Sequence, residues 1–141
     1  SPLVFRSGGV FDAETANRRT VCMAMIETQE SVENIDAIAR VDGIDAIFVG
    51  QSDLGIAYGL HPSLERDNPK HLDRLKHIAE VSLSNDVAPF IVCDKVDSRQ
   101  KLQDMGYRFF MKSDVSIFLE GAKAAVDGSA RLDAGKDDFI Y

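Results

Sequence analysis

The sequence predicts an α/β fold built from parallel βα units. Four short apolar runs recur along the 141 residues, and a helical pattern follows each of them. Runs that are apolar on both faces are typical of buried parallel strands. The composition, with 45% hydrophobic and 28% charged residues, is that of a globular domain. The order β-α-β-α-β-α-β-α favours right-handed crossovers with helices on the sheet.

The first unit begins with the strand-like run Val21–Ile26, which is almost wholly apolar. Thr28 is a suitable N-cap for a helix that continues through Val41, since apolar side chains recur there at helical spacing. Asp42 and Gly43 are expected to end that helix.

The second strand is predicted over Ile44–Val49 and is stopped by Gly50. A polar elbow, 51–55, and a loop to residue 68 are expected to follow. Asn68 and Pro69 form a good N-cap and first-turn pair for the next helix. The buried stripe of that helix is predicted to contain Leu72, Leu75, Ile78, Ala79 and Leu83.

The last two units repeat the strand-then-helix order. Their predicted elements are a strand at 88–93, a helix at 97–105, a strand at 107–111 and a helix at 115–126. Gly128 lies past the last helix, so the domain is expected to span 1–128, with a loosely held extension at 129–141. The head, 1–17, is expected to be mostly loop with a helical turn near Ala13. Four units make half of an eight-unit barrel or a small open sheet, and periodicity does not decide between them.

Charge, cysteine content and the lack of long apolar runs indicate the protein's surroundings and exclude some classes of partner. The net charge of −7 disfavours nucleic acid and anionic membranes as general partners. Cys22 and Cys93 lie in apolar runs and form no CxxC pair, which favours buried, reduced thiols over a disulfide. The sequence shows no leader-like start and no apolar run near the ~18 residues that span a bilayer. We therefore expect a soluble, cytoplasmic protein.

Carboxylates follow the first two predicted strands. Glu27 comes directly after Ile26, and Asp53 lies three residues beyond Gly50. Since parallel strands end at one edge of the sheet, both carboxylates are candidates for binding a divalent cation such as Mg²⁺ or Mn²⁺. Glu27 could instead complement a helix dipole, and Asp53 could be the N-cap of a helix starting at Leu54.

Two long motifs resemble those of the HpcH/HpaI aldolases. The segment 26–35, IETQESVENI, resembles the family's I-E-T-x-E-A-x-x-N-L stretch. The segment 41–54, VDGIDAIFVGQSDL, resembles V-x-G-V-D-x-x-F-I-G-P-x-D-L. Weaker similarity extends the resemblance to about residues 15–126.

The resemblance implies the C-terminal half of a TIM (β/α)₈ barrel and a carbon–carbon lyase that acts on a 2-oxo acid such as pyruvate. Glu27 and Asp53 would bind Mg²⁺ or Mn²⁺, with Co²⁺ possible, and the metal would chelate the substrate. Substrate-binding residues would be Gln51, Ser52, Asp53 and Val92. The backbone N–H groups of Ser52 and Asp53 would receive the substrate carboxylate.

The sequence also departs from the family pattern. The family's catalytic His and Arg come from strands that precede this sequence. His61 lies in the loop after the site motif, whereas His71 and His77 are expected on a solvated helix face. Gln51 replaces a usual Pro, and Phe90 stands where Gly is common and could fill pocket volume.

Two alternatives to a metal-dependent aldolase remain open. One is a half-barrel that binds metal or a 2-oxo acid without catalysis. The other is a Schiff-base lyase that uses Lys95 or Lys112, both of which follow predicted strands. The open sheet edges of a half-barrel predict a homo-oligomer or pairing with the missing N-terminal half.

Overall fold

A computed structural model of the protein describes residues 13–61, 67–93 and 96–133. They form a single parallel sheet with the strand order β1-β2-β3-β4. The strands are β1 Met23–Ile26, β2 Ala46–Val49, β3 Ala88–Val92 and β4 Phe109–Met111. The helices are α1 Ala13–Arg19, α2 Gln29–Glu33, α3 Ile35–Ala39, α4 Gln51–Ala57, α5 Pro69–Ser84, α6 Val96–Asp104 and α7 Asp114–Asp133. The predicted parallel α/β fold is confirmed.

The two faces of the sheet have different surroundings. In the register of the strands, Met25, Phe48, Phe90 and Phe109 form one row across all four strands. The Phe90 ring stacks on Phe48 at 4.6 Å and meets Phe109 edge-on at 4.7 Å between ring centroids. Met25 and Phe109 at the two ends of the row are about half exposed, so this face is least covered at its edge strands.

The opposite face packs on the helices and forms the core. Alternate strand residues Ile26, Ile47 and Ile91 are fully buried there, and they join the same cluster as Leu75 and Ile78 of α5. Burial of such side chains contributes about 1.5–3 kcal/mol each. This core therefore holds the sheet against the helices and fixes the positions of the strand ends.

The first predicted helix is broken into two. The Thr28 hydroxyl accepts from the Ser31 N–H, and Ser31 Oγ accepts from the Thr28 N–H, so the predicted cap is present. Asn34 then interrupts the helix, and α3 ends at Ala39 rather than Val41. Gly43 has a φ of +88°, as expected of a residue that reverses the chain after a helix.

The segment predicted as a polar elbow is a helix. The Leu54 N–H donates to the Gly50 carbonyl at 2.8 Å, which closes the first turn of α4. This helix lacks the apolar stripe that would reveal it in sequence, since only Leu54 and Gly55 within it are buried. The final helix is longer than the predicted range 115–126, since α7 continues to Asp133.

Side-chain placement decides two further expectations, those for the helix histidines and for the cysteines. His71 is buried, at 2% exposure, rather than on a solvated face, whereas His77 is exposed as predicted. Cys22 is exposed and only Cys93 is buried. Among the described residues, no helix has the length and apolarity needed to cross a membrane.

Candidate active site

A cleft opens where the first two strands end. Its volume is about 210 Å³. It is lined by Met25, Glu27, Phe48, Gly50, Gln51, Ser52, Asp53 and Val92. The two predicted metal ligands and the other three predicted substrate-binding residues therefore share one cavity. Met25 and Phe48 were not predicted, although each lies at the end of a predicted strand and shares a row of the register.

Glu27 is held at the junction between β1 and α2. Its backbone N–H donates to Ser31 Oγ at 3.2 Å, so the capping arrangement that begins α2 also fixes the main chain of Glu27. The residue is half-buried. Its backbone is therefore fixed at the strand end while its carboxylate lines the cleft.

Gly50 gives the Glu27 side chain its room. The Gly50 N–H donates to the Ile26 carbonyl at 3.1 Å, which ties the ends of β1 and β2 together. A Cβ on residue 50 would lie 2.9 Å from Glu27 Oε2 and 3.1 Å from Glu27 Cβ. This close approach disfavours a side chain at residue 50 unless Glu27 moves, whereas the backbone conformation does not, because φ at Gly50 is −77°, a value open to other residues.

Asp53 lies in the first turn of α4 and is exposed. Gly50 is the N-cap of this helix, so the alternative of Asp53 as the N-cap of a helix beginning at Leu54 is wrong. Leu54, at 0% exposure, anchors the helix in the core. The buried side chain of Leu54 thus fixes the turn of α4 that places Asp53 at the cleft.

Gln51 links the second strand to the third. Its Nε2 donates to the Val92 carbonyl at 2.7 Å, across the ends of β2 and β3. Proline at this position would lack that donor. The departure from the resembled motif therefore has a local structural role, since it joins two residues of the cleft wall.

The described residues contain no group of three or more His, Cys, Asp or Glu side chains arranged to hold a metal. The cleft offers two carboxylates, Glu27 and Asp53. Mg²⁺ is commonly bound through one or two carboxylates, with water and substrate at the remaining positions. The donor set and the space beside Glu27 fit such a cation, whereas a closed tetrahedral zinc site would need more ligands.

The other candidates that the structure describes lie outside this cleft. His61 is exposed and does not line it. Lys112 forms an ion pair with Glu120, and Lys95 lies outside the described residues. Ser113 caps α7 by accepting from the Ser116 N–H at 3.2 Å. Phe90 belongs to the aromatic row and does not line the cleft, so it leaves the cavity volume unfilled.

Comparison with known proteins gives a consistent picture. Residues 5–112 match the family described as HpcH/HpaI aldolase/citrate lyase. The sequence is 32% identical over 117 residues to a 5-keto-4-deoxy-D-glucarate aldolase of Enterobacter sp. (strain 638), covering 79% of this chain and 43% of the relative. It is also 32% identical over 117 residues to a hydroxypyruvate/pyruvate aldolase of Rhizorhabdus wittichii, covering 82% and 46%. The chain thus spans less than half the length of these curated relatives.

Solved structures share the fold. The citrate synthase SbnG superposes with a TM-score of 0.73 at 26% identity, over 86% of this chain and 49% of that one. An HpcH/HpaI aldolase/citrate lyase family protein from Burkholderia cenocepacia gives a TM-score of 0.73 at 23% identity, over 83% and 45%. At that identity the second comparison supports the fold alone. These neighbours are TIM-barrel-like, which agrees with the predicted half-barrel.

Proposed function

Because this chain belongs to the HpcH/HpaI aldolase/citrate lyase family, we propose that it provides the metal- and substrate-binding half of an aldolase acting on a 2-oxo acid. The observation that carries the proposal is the shared cleft of Glu27 and Asp53, kept open beside Glu27 by Gly50. The reaction would be the reversible cleavage of a carbon–carbon bond in the substrate, which releases a pyruvate-type enolate and an aldehyde.

Glu27 and Asp53 would hold a divalent cation, Mg²⁺ or Mn²⁺, at the end of the sheet. Two carboxylates offset the charge of such a cation, and its other positions stay open to water and substrate. The bound cation would supply Lewis-acid withdrawal of charge from the substrate ketone. The protein as a whole is acidic, at −7, so without a cation its field repels an acidic substrate.

The chain's own groups would then orient the substrate. The N–H groups of Ser52 and Asp53 lie in the first turn of α4. They come before the Leu54 N–H, which donates to the Gly50 carbonyl. Early N–H groups of a helix lack partners within it, so they can receive a substrate carboxylate. Gln51 and Val92 would keep the wall of the cleft at a fixed distance, because their hydrogen bond joins the two strand ends.

The cleft walls would shield the reacting enolate from water. Met25 and Phe48 provide an apolar floor beside the two carboxylates. An apolar boundary strengthens the electrostatic interactions made within the cleft and limits unwanted protonation of a carbanion. The methyl group of pyruvate suits such a surface.

The Schiff-base alternative has less support at Lys112, the one of its two lysines that the structure describes. An amine nucleophile must be neutral to attack a carbonyl, which desolvation or a nearby cation favours. The Lys112 ammonium instead pairs with the Glu120 carboxylate, with Nζ 2.5 Å from Oε2. Lys112 also does not line the cleft of Glu27 and Asp53.

We also propose that the sheet face that carries the aromatic row pairs with a second copy or with an N-terminal half. Met25 and Phe109 end the aromatic row at 50% and 53% exposure. Burying these side chains would stabilise an association through the hydrophobic effect, by about 25 cal/mol for each Å² of apolar surface. Light scattering on the purified protein would report its oligomeric state, and a monomer at micromolar concentration would contradict self-association.

The proposed function is tested by exchange of the pyruvate methyl protons in D₂O, followed by ¹H NMR with and without Mg²⁺. Enolate formation predicts magnesium-dependent loss of the methyl signal. Exchange that persists in EDTA would contradict the metal-dependent mechanism. Pyruvate binding with magnesium but without exchange would identify a binding module rather than a catalyst.

A further inference from the structure

A second cleft of about 500 Å³ lies between the end of α4 and the start of α5. The residues that line it include Tyr58, Asn68, Lys70 and Arg74. None of them lines the cleft of Glu27 and Asp53. The two cavities are therefore chemically distinct: the first carries two carboxylates and the second carries two cationic side chains.

Arg74 is held in a fixed orientation. Its guanidinium carbon lies 3.5 Å from the centroid of the Tyr58 ring, so the planar group stacks on the aromatic face. Within the described part of the chain, its Nη1 atom is buried and has no hydrogen-bond acceptor. Buried donors are nearly always paired, and one that is not points to a bound ion, ligand or water.

Lys70 adds a second positive charge beside Arg74. The two residues are four positions apart on α5, which places them on the same side of the helix. Like charges at this spacing repel each other unless an anion lies between them. The described residues offer neither side chain a carboxylate partner, and Asp67, just before the helix, accepts from Lys101 at 3.0 Å.

We propose that Arg74 and Lys70, with Tyr58 as a stacking platform, bind the oxyanion group of a small ligand, either a carboxylate or a phosphate. The planar guanidinium is suited to such groups because its N–H donors match the spacing of two oxygen atoms. Lys70 contributes charge without directional demand. The bound anion would accept from the part of the Arg74 guanidinium that lines the cleft, and it would reduce the repulsion between the two cations of α5.

The test is calorimetric titration of the protein with inorganic phosphate and, separately, with succinate, at low ionic strength and without divalent cations. Arg74→Gln is expected to weaken binding by about tenfold or more, since it removes charge-assisted hydrogen bonds. Lys70→Gln is expected to weaken it by about two- to fivefold, as for an exposed charge. Tighter binding of phosphate identifies a phosphoryl ligand, and tighter binding of succinate identifies a carboxylate.

The matched control is Lys76→Gln, which removes one positive charge from the same helix outside the cleft; Lys76 pairs with Glu80 at 3.6 Å. It is expected to leave binding unchanged, as is the Glu27→Gln, Asp53→Asn variant. If circular dichroism shows that Arg74→Gln does not fold, Arg74→Lys and Lys70→Gln decide the outcome. Absence of binding to the folded protein, or equal weakening by Lys76→Gln, would overturn the proposal.

Discussion

The carboxylate of Glu27 occupies space that a side chain at position 50 would need: a Cβ on Gly50 would lie 2.9 Å from Glu27 Oε2. Replacing Gly50 with alanine must displace Glu27 or the end of β2. We expect Gly50→Ala to weaken divalent-metal binding by about tenfold or more, as for changes that reorient a metal ligand. Calorimetric titration with Mn²⁺ measures the effect.

The control for that variant is Gly121→Ala. An added Cβ there meets no atom within 4 Å, and Gly121 lies within α7. It should leave metal affinity unchanged. Equal affinities for Gly50→Ala and the native protein would show that the close approach to Glu27 has no functional consequence.

The hydrogen bond from Gln51 to the Val92 carbonyl predicts a loss of stability when it is removed. Gln51→Ala should lower the free energy of unfolding by about 1 kcal/mol, the usual net value of such a bond. Urea denaturation measures it. Gln100→Ala, which removes an exposed bond to Asp104 within one helix, should change stability by less than about 0.5 kcal/mol.

The aromatic row predicts a large cost for truncating its central ring. Phe90 is 5% exposed and contacts rings on both sides. Phe90→Ala should reduce stability by about 3–5 kcal/mol, because it leaves a cavity in a packed row. Phe118→Ala, at a position 73% exposed, should cost less than about 0.5 kcal/mol. Similar denaturation midpoints for the two variants would contradict the packing role of Phe90.

Burial of Tyr107 predicts a loss of stability at alkaline pH. Burial raises the pKa of Tyr107 well above its ordinary value of 10.0, and its hydroxyl donates to the Leu75 carbonyl at 3.0 Å. The unfolded chain releases the tyrosine proton above about pH 10 while the folded state keeps it, so stability falls as pH rises. Tyr107→Phe should cost about 1 kcal/mol at pH 7 and reduce the slope of stability against pH above 10. An unchanged slope would contradict this assignment.

The sheet could be predicted from the sequence because each strand is a continuous apolar run bounded by polar or glycine residues. The shared location of Glu27 and Asp53 could be predicted too, since both residues follow strands that end at one edge of the sheet. The start of helix α4 at Gln51 could not be predicted, because QSDLGIA has no apolar stripe and the first turn is closed through the Gly50 carbonyl.

The helical spacing of His71 favours burial, although its charged neighbours favour exposure. It lies four residues before Leu75 and seven before Ile78, on the buried stripe of α5. The neighbouring Lys70 and Arg74 favoured a solvated face instead. The cleft of Arg74 and Tyr58 had no local signal, since it joins two helices that a loop separates in sequence.

The central claim is that Glu27 and Asp53 bind a divalent metal that recruits a 2-oxo acid. Its most direct test is calorimetric titration of Mg²⁺ or Mn²⁺ in the presence of pyruvate, comparing the native protein with the double variant Glu27→Ala, Asp53→Ala. A Glu33→Gln variant, altered at an exposed carboxylate outside the cleft, is the control. We predict metal-dependent pyruvate binding that disappears only in the double variant; no metal binding by the well-folded native protein would contradict the claim.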